Sequence, residues 1–508
     1  MKSYSAARMR ELDRRSIEEH GIPGAALMEN AGTALVRAIL RFAAGFDAPE
    51  FVILAGKGNN GGDACVAARQ LDQRGFPVRL FMTARPDELA GDAAEMFEAL
   101  PQKLKNELRF EFSSGDLSEQ SIVIDGLLGT GVRGDLREPF ASWIRIVNES
   151  GVPVIAVDIP SGLNADDGTA SLCMQADLTV TMAGVKTGML LERGPLVSGR
   201  IEVARIGIPE SELEEAADGM PVFTNLDARS LLRREPFDTF KNRRGHLAVI
   251  GGSARYASAP FLSAEAALRT GCGLVTLFLP ESAEIHCIVR KALILRRVPD
   301  EGGPAFCASS LTEIESALQD KSAFALGPGM MDRPETLPFL TRLIQMEKPL
   351  VLDADALNLI AREPGILASH GESVILTPHP GEMRRLQSAF GLDGEKSRID
   401  QALEMADCTG CTVILKGCRS VIASPDGAYS LNLSGCPALA TAGSGDTLTG
   451  ICGSFLAQGF SAWDAARLGA YLHGLAGEIL APCGSRGVIA DDLASAAARA
   501  IRRILPTA

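Results

Sequence analysis

Long apolar runs are missing from this sequence. No stretch of about 18 uninterrupted apolar residues occurs, so a transmembrane helix is not expected. The N-terminal segment MKSYSAARMRELDRR lacks the apolar core of a secretory signal and has the pattern of an amphipathic helix. These two absences argue against a membrane partner, and we expect a cytoplasmic protein.

An excess of positive charge is also missing. The 63 acidic residues outnumber the 50 basic ones, which gives a net charge of −13. Because binding to nucleic acid needs a basic surface, we expect no nucleic acid among the partners. Small anionic ligands are compatible with this charge, since local loops rather than the overall charge hold them.

Paired cysteine motifs are scarce. The 11 cysteines are scattered, mostly within apolar stretches such as GCGLVTL at 271–277, which predicts reduced and buried thiols. One CxxC occurs, Cys408 to Cys411, with no second CxxC or histidine pair to accompany it. We therefore expect neither a redox nor a metal role for this motif.

Two successive α/β patterns are present. The chain has 508 residues, too many for one ordinary core. In the first half, apolar β-rich segments alternate with helical ones, which predicts a parallel sheet covered on both faces. Its predicted strands are FVILAG (51–56), VRLFM (78–82), SIVIDGLLG (121–129), PVIAVDIP (153–160) and DLTVTM (177–182).

The acidic segment ESELEEAADGMP (210–221) predicts a boundary between two domains. After it the α/β pattern restarts at GHLAVIGGS (245–253), followed by a helix over 259–271 and by helices from 443 to the C-terminus. Further strands are predicted at LVTLFLP (274–280), SAFALGPG (322–329), PLVLDADAL (349–357), SVILTPHPGE (373–382) and CTVILKG (411–417).

Four polar loops follow strands of the first half. They are GKGNNGGD (56–63), DGLLGTGVRGD (125–135), DIPSGLNADDG (158–168) and AGVKTGML (183–190). Ligands bind at the carboxyl ends of parallel strands, so the four loops predict one shared site. The glycine spacing of the first loop fits a dinucleotide-binding turn, and Arg85 could select a ribose phosphate in an NADP-linked dehydrogenase. Its asparagines and carboxylate are instead hard oxygen ligands suited to a cation.

These loops, together with MENAG (28–32), resemble the YjeF N-terminal family, the NAD(P)H-hydrate epimerases, over most of residues 1–215. The resemblance implies a Rossmann-like three-layer α/β domain with potassium bound by Asn60, Asp125 and Ser161. It implies contacts to the hydrated nucleotide from Asn59, Asn60, Gly61, Gly62, Asp63, Gly129, Thr130, Gly131, Val132, Arg133, Gly134, Asp135, Phe140 and Asp158. Phe140 stands where a tyrosine is expected. Asp158 and Lys186 are our candidates for moving protons.

The sharpest stretch of the second half is ATAGSGDTLTG (440–450). A Gly-Ser-Gly turn that opens a helix offers free N–H groups to an anion. We expect Asp446, at this helix terminus, to remain ionised and to act as a general base. The same arrangement occurs in ribokinase-like enzymes, so a small-molecule kinase is a competing interpretation. A further alternative is that Asp446 only caps its helix and has no role in catalysis.

The surrounding motifs resemble the YjeF C-terminal family, ADP-dependent NAD(P)H-hydrate dehydratases with a ribokinase-like α/β fold. They are GGSARYASAP (251–260), AALRTGCGLV (266–275), GPG (327–329), DADALN (353–358), TPHPGE (377–382) and KGCRSVIAS (416–424). The resemblance implies that ADP contacts Lys416, Gly417, Cys418, Arg419, Ser420 and Gly445. It implies that the hydrate contacts Ala259, Gly329, His379 and Asp446.

Asp353 and Asp355 are consistent with Mg²⁺ accompanying the nucleotide, or with the cap and first turn of a helix. The combined resemblance implies an epimerase domain over 1–215 and a dehydratase domain over 225–508. The expected function is repair of hydrated NADH or NADPH with ADP as co-substrate. The alternative is a ribokinase-like kinase fused to a Rossmann-like nucleotide-binding domain. We also expect a homo-oligomer whose partners are these small molecules.

Overall fold

The computed structural model describes residues 2–232, 235–285, 291–367, 373–482 and 486–505. The chain divides into two compact units, Met1–Pro221 and Val222–Ala508. The end of the first unit is fixed by its beginning, because Ser3 exchanges backbone hydrogen bonds with Gly219 and Met220. The segment that the sequence marks as a boundary therefore lies within the first unit.

The first unit is built on a six-stranded sheet in which every neighbouring pair is parallel. The strand order is β2-β1-β3-β4-β5-β6. Apart from the first residue of β1 and part of β2 and β6, the strand residues are buried, as expected of a sheet covered on both faces. The strands are β1 (Glu50–Ala55), β2 (Val78–Met82), β3 (Ser121–Gly126), β4 (Val154–Val157), β5 (Leu178–Met182) and β6 (Arg200–Ala204).

Eight helices accompany this sheet among the described residues. They are α1 (Ala6–Glu18), α2 (Gly24–Ala43), α3 (Asn59–Gln73), α4 (Gly91–Glu98), α5 (Gln102–Asn106), α6 (Phe140–Ser150), α7 (Gly194–Val197) and α8 (Glu210–Ala216). Helix α3 begins earlier than the glycine-rich letters suggest. Gly58 is its extended N-cap residue, so the whole NNGGD stretch forms the first turns of the helix.

The N-terminal segment anchors α1 beside the loop that follows β5. Tyr4 accepts a backbone hydrogen bond from Thr187 and donates one to Val185, so it pairs across the chain with Lys186. The Tyr4 side chain is fully buried, and its hydroxyl donates to the Leu213 carbonyl at 2.6 Å. These contacts place α1 at the carboxyl edge of the sheet.

The second unit is built on a ten-stranded sheet with the order β10-β9-β8-β11-β12-β13-β14-β15-β16-β7. Its pairs are parallel except at β14-β15 and β15-β16, which are antiparallel. The strands are β7 (Val222–Phe223), β8 (His246–Ile250), β9 (Leu274–Pro280), β10 (Ile294–Val298), β11 (Ala323–Leu326), β12 (Leu350–Leu352), β13 (Val374–Leu376), β14 (Thr412–Leu415), β15 (Val421–Ala423) and β16 (Tyr429–Asn432).

Ten helices belong to the described part of this unit. They are α9 (Asn225–Leu231), α10 (Ala259–Arg269), α11 (Ala308–Leu318), α12 (Leu337–Ile344), α13 (Asp355–Arg362), α14 (Pro380–Phe390), α15 (Arg398–Thr409), α16 (Ser444–Ala457), α17 (Ala462–Leu480) and α18 (Ala490–Ile504). No helix in the described ranges of the chain is long and apolar enough to cross a membrane.

Helix α16 is the central helix of the second unit, and its residues from Thr447 onward are all buried. A Cβ added to Gly450 would lie 2.0 Å from the backbone oxygen of Ser263, so glycine permits α10 to approach this closely. The Ser263 hydroxyl also donates to the Asp446 carbonyl at 2.6 Å. The position of the α16 N-terminus is therefore fixed by α10.

Candidate active sites

The first candidate site lies at the carboxyl edge of the six-stranded sheet. Asp125, the penultimate residue of β3, accepts hydrogen bonds from the Ser161 amide at 2.8 Å and from the Ser161 hydroxyl at 2.6 Å. The Asn60 amide nitrogen, in the first turn of α3, donates to the carbonyls of Leu128 at 3.2 Å and Val157 at 2.6 Å. The loops after β1, β3 and β4 thus meet around these three predicted potassium ligands.

The chemistry of this donor set fits a hard cation. Asp125 and Ser161 are fully buried, and burial raises the pKa of Asp125 to about 6 although Ser161 and the Leu127 amide oppose the shift. Among the described residues no lysine or arginine lies within ion-pair distance of Asp125. A carboxylate, a hydroxyl, an amide and two carbonyls are the oxygen-bearing groups that alkali and alkaline-earth ions bind.

Asp158 and Lys186 form a buried ion pair next to this donor set. Lys186 is 1% exposed, and its ammonium donates to Asp158, to the Thr181 hydroxyl at 3.0 Å and to the Met182 carbonyl at 2.9 Å. An ammonium has three N–H groups, so all of them are used. Lys186 therefore holds the Asp158 carboxylate in place through a fully hydrogen-bonded ammonium group.

The backbone of Asp158 is also unusual. Its φ is +68°, a left-handed conformation that costs a non-glycine residue about 1–3 kcal/mol and tends to occur at functional sites. The Met182 amide donates to the Asp158 carboxylate at 2.9 Å and holds it in place. This conformation directs the carboxylate toward the buried Lys186.

Two more carboxylates face this ion pair, and one of them is absent from the sequence prediction. Asp63, in α3, is 6% exposed, and burial, reinforced by Asp158 and Asp13, raises its pKa well above the ordinary value. Asp13, in α1, interacts with Asp158 and Lys186, and burial raises its pKa to about 6. Asp13 could have been identified from the sequence as an acidic residue on the apolar face of an amphipathic helix.

The predicted nucleotide loop at 129–135 covers Asn60. A Cβ added to Gly129 would lie 2.7 Å from the Asn60 amide oxygen, so only glycine fits there. Arg133, a predicted contact of the hydrated nucleotide, donates to the side chains of Asn164 and Asp166. Thr130 and Val132 are half-buried, and Asn59, Gly131, Gly134 and Asp135 are exposed. Phe140 packs against the core cluster that contains Trp143.

The second candidate site lies at the N-terminus of α16. Lys416, which follows β14, donates to Asp353 at 2.9 Å and lies 3.8 Å from Glu382. A Cβ added to Gly445 would lie 3.3 Å from the Lys416 ammonium, so this cation sits beside the first turn of α16. Thr449 donates to the second oxygen of Asp353 at 2.6 Å. Lys416, Gly445 and Asp446 are thus brought together as predicted positions of one site.

Opposing charges fix the protonation states of the Lys416–Asp353 pair. Burial is the largest single influence and works against both charged forms, but the neighbouring charges and hydrogen bonds together outweigh it. The pKa of Asp353 is lowered by Lys416 and by the Thr449 hydrogen bond. The pKa of Lys416 is raised by Asp353 and Glu382. Both groups are therefore charged at neutral pH.

Asp446 differs from its sequence-based expectation. Burial raises its pKa to about 7, and Asp353 adds to the shift while Lys416 opposes it. The helix terminus alone does not keep this carboxylate strongly ionised, because desolvation and a neighbouring carboxylate act in the opposite direction. A pKa near the working pH is nevertheless what a general base needs.

A buried histidine supports the same helix terminus. His473, in α17, has its Nε2 atom 3.0 Å from the Ser444 hydroxyl at the start of α16. Burial lowers the pKa of His473 to about 4, so the ring is neutral at physiological pH. Sequence reasoning missed this residue, since a histidine inside an apolar helix carries no motif of its own.

The remaining predicted hydrate contacts lie in two places. Gly329 has a φ of +65°, and a Cβ added there would lie 3.3 Å from the Ala259 side chain, so these two residues are neighbours. His379 is the N-cap of α14, and its Nδ1 accepts from the amides of Gly381 at 2.9 Å and Glu382 at 3.3 Å. Half of the His379 side chain is exposed, and its Nε2 lies 3.3 Å from the Glu382 carboxylate.

Arg398 stabilises the predicted ADP loop at 416–420 by donating to the Cys418 carbonyl at 2.6 Å. Gly417 has a φ of +146°, and the Ser420 hydroxyl donates to its carbonyl at 3.0 Å. Arg419 points inward, with 7% exposure and a 2.6 Å hydrogen bond to the Leu433 carbonyl. Its guanidinium is thus part of the fold and not of the loop surface.

Comparison with known proteins assigns each unit to a family. The model of the YjeF-related protein N-terminus matches residues 24–188, and that of NAD(P)H-hydrate dehydratase matches residues 247–499. The bifunctional NAD(P)H-hydrate repair enzyme of Moorella thermoacetica is 37% identical over 97% of this chain and 95% of its own. The chain belongs to the family of bifunctional NAD(P)H-hydrate repair enzymes.

Two other proteins have lower sequence identity to this chain. The enzyme of Salinibacter ruber, which has the same name, is 35% identical over 96% of this chain and 94% of its own. The crystal structure of the ADP/ATP-dependent NAD(P)H-hydrate dehydratase of Bacillus subtilis is 26% identical, covers 56% of this chain and 99% of its own, and has a TM-score of 0.47.

Membership of the repair-enzyme family and the two observed sheets confirm the predicted fold class. The first unit is the Rossmann-like parallel α/β unit, and the second is the ribokinase-like α/β unit expected of the dehydratase segment. The chain divides between Pro221 and Val222, in the gap between the domains predicted over 1–215 and 225–508, and Val222 and Phe223 pair with β16.

Proposed function

We propose that the first unit interconverts the R and S hydrates of NADH and NADPH, and that the second dehydrates the S hydrate with ADP. The observation that carries the proposal is a carboxylate site in each family-matched segment, with Asp158 in one and Asp446 in the other. Spontaneous hydration gives both epimers, so a stereospecific dehydratase needs an epimerase beside it.

In the first unit, Asp158 is the group that accepts a proton as the carbon bearing the hydroxyl inverts, and Lys186 orients it. The hydrated nucleotide lies along Asn59–Asp63, the 129–135 loop and Phe140. Asn60, Asp125 and Ser161 would hold potassium, which supplies a fixed positive charge when bound. That charge would offset the burial of Asp125 and tie together the loops that surround the substrate.

In the second unit, Asp446 accepts the proton of the hydrate's hydroxyl. The hydroxyl oxygen then attacks the terminal phosphorus of ADP, and AMP leaves with the electrons of the broken P–O bond. Loss of phosphate from carbon and of a proton from the adjacent carbon restores the double bond of the reduced nicotinamide. Lys416 and the free amides at Gly445 stabilise the transferred phosphate.

Mg²⁺ in this unit would be held mainly by the nucleotide. Asp353 is already neutralised by Lys416, and Asp355 accepts the Met331 amide at 2.9 Å. Within the part of the chain that the structure describes, no group of three His, Cys, Asp or Glu residues could hold a metal ion. Phosphate oxygens, water and at most one or two carboxylates are the usual ligands of nucleotide-bound Mg²⁺.

The deciding experiment mixes the protein with epimeric NADH hydrate and ADP, and follows the absorbance of the reduced nicotinamide. We expect full recovery of both epimers, together with phosphate released in equal amount. A dehydrogenase would need an oxidisable partner and would give no signal. A small-molecule kinase would consume nucleotide without restoring the absorbance, and that result would overturn the proposal.

The potassium site gives a separate prediction. Replacing potassium with the much larger tetramethylammonium ion should slow epimerisation, because the buried cluster of Asn60, Asp125 and Ser161 cannot enclose that cation. Asp125→Ala should slow it in the same way and abolish the response to potassium. Both are measured as the rate of interconversion of the two hydrates without ADP. Equal rates under both changes would remove the metal assignment.

A further inference from the structure

Helix α1 is placed against the first site by hydrogen bonds at its start. Tyr4 bonds to the residues on both sides of Lys186, and the Ala6 amide donates to Asp166 at 2.6 Å in the loop after β4. Asp13 lies seven residues beyond Ala6, about 10 Å along the helix axis. The helix thus carries Asp13 along the edge of the sheet at which Asp158 and Lys186 meet.

The side chain of Asp13 is on the inward face of this helix. Residues 6, 9, 13 and 16 recur at the spacing of one helical face, and the other three, Ala6, Met9 and Ser16, are buried. Charged residues of an amphipathic helix ordinarily lie on the opposite face, as Glu18 does in α1. Asp13, which is half-buried, is the one charged residue among these four positions.

No compensating partner explains this position. Among the described residues, neither the Asp13 nor the Asp63 carboxylate accepts a hydrogen bond. This is unusual for Asp63, which is only 6% exposed. Lys186 acts electrostatically on both carboxylates, but its three N–H groups are already used. Burying the Asp63 carboxylate without a partner is costly, so its retention beside the half-buried Asp13 points to a ligand that both carboxylates face.

We propose that Asp13 is the second acid–base group of the epimerase site and acts on the substrate together with Asp158. This inference rests on the proposed function of the first unit. Inversion at the hydroxyl-bearing carbon needs a proton donor and a proton acceptor, and two carboxyl groups in different surroundings can supply them. Asp158, paired with Lys186, is the proton acceptor, and Asp13, which lacks a hydrogen-bonded cation, is the proton donor in its protonated form.

The proton and electron changes are as follows. Asp13 gives its proton to the hydroxyl of the hydrate, and the C–O bond breaks with its electron pair on oxygen, releasing water. The lone pair of the adjacent ring nitrogen forms a C=N bond. Water then adds to the other face, the C=N electrons return to nitrogen, and Asp158 accepts the extra proton of the added water. Proton exchange with solvent restores the two carboxyl groups.

The test compares Asp13→Asn with Glu18→Gln, a matched loss of one acidic charge on the exposed face of the same helix. We expect Asp13→Asn to lower the epimerisation rate by about 10²-fold, the smaller end of the usual contribution of a positioned acid or base. Glu18→Gln should leave epimerisation unchanged. Dehydration of pure S hydrate, which uses the second unit, should be unchanged in both variants and reports intact protein.

Two further readouts separate catalysis from a structural role. Because Asn removes an unpartnered carboxylate, the melting temperature of Asp13→Asn should equal or exceed that of the parent. Its kcat/KM pH profile should lose the ionisation of Asp13, the carboxyl group that faces Asp63, Asp158 and Lys186. Asp13→Glu, which keeps a carboxyl group, should recover part of the rate.

The outcomes are distinct. A parent enzyme that fails to epimerise overturns the proposed function of the unit. A parent that epimerises beside an Asp13→Asn variant within threefold of its rate overturns only the role of Asp13. A slow variant with an unchanged pH profile, or one whose melting temperature falls in step with its rate, also counts against that role.

Discussion

Asp446→Asn should lower the rate of S-hydrate dehydration by about 10²–10⁴-fold, the range that a positioned general base commonly contributes. Asparagine keeps the size of the side chain and its place in the first turn of α16 but cannot accept the proton. ADP binding, measured by calorimetry, should be largely unchanged, because Lys416 and the Gly445 amide remain. Epimerisation by the first unit of the same preparation should be unaffected.

The pH dependence sharpens this expectation. Because the pKa of Asp446 is raised to about 7, its carboxylate form predominates above pH 7 and is lost as the pH falls. The kcat/KM for dehydration should therefore fall about tenfold per pH unit below pH 7 and level off above it. This acid limb should be absent from the Asp446→Asn variant.

Asp464→Asn is the matched control. Asp464 is the third residue after the N-cap Ser461 of α17. Asp446 has the same position in α16, as the third residue after the N-cap Gly443. It pairs with Arg467 and has no place in the proposed site. Normal dehydration by Asp464→Asn beside near-normal dehydration by Asp446→Asn would leave Asp446 as a helix cap only.

Lys416→Met should have the second large effect, on both stability and ADP binding. It leaves the Asp353 carboxylate, which is 1% exposed, without its cation. Breaking a buried pair in this way costs about 3 kcal/mol, the lower end of the usual range, because part of Lys416 reaches solvent. Loss of the charge-assisted contact to phosphate should weaken ADP binding by about 10–100-fold.

A double variant separates these two effects. In Lys416→Met with Asp353→Asn, the uncompensated carboxylate is gone, so urea unfolding should show that most of the lost stability returns. ADP affinity should stay low, since the cation is still missing. Lys396→Met, which breaks an exposed pair with Glu404, should change neither quantity appreciably. Recovery of ADP binding in the double variant would contradict a direct role for Lys416.

The central strands could be predicted from the sequence because continuous apolar runs between helices have few alternatives. FVILAG and LVTLFLP correspond to β1 and β9 within one residue at each end. The edge strand β10 was missed, since ILRRV is largely exposed and lacks an apolar run. The antiparallel pair β15 and β16 was missed as well, because these strands follow β14 without an intervening helix and so depart from the alternation of strands and helices.

The sites could be predicted where chemistry is written into a local motif, as around Asn60 and Asp446. Asp13 could not be found in this way, because its neighbours Asp63 and Lys186 come from other elements. Arg419 shows the opposite limit. The family resemblance implies that Arg419 contacts ADP, but its φ is +51° and its side chain lies in the interior. The backbone conformation at Arg419 decides whether its side chain faces the ligand or the interior, and the sequence does not reveal that conformation.

The pairing of Ser3 with Gly219 and Met220 has a consequence for the history and engineering of the chain. The polypeptide enters and leaves the first unit at one point, so its two ends are neighbours in space. A unit of this kind can be spliced into a longer polypeptide, excised from it, or re-opened at another loop without altering the path of its interior backbone. Gene fusion and circular permutation would therefore both require changes only where the two ends of the unit meet or at the newly opened loop.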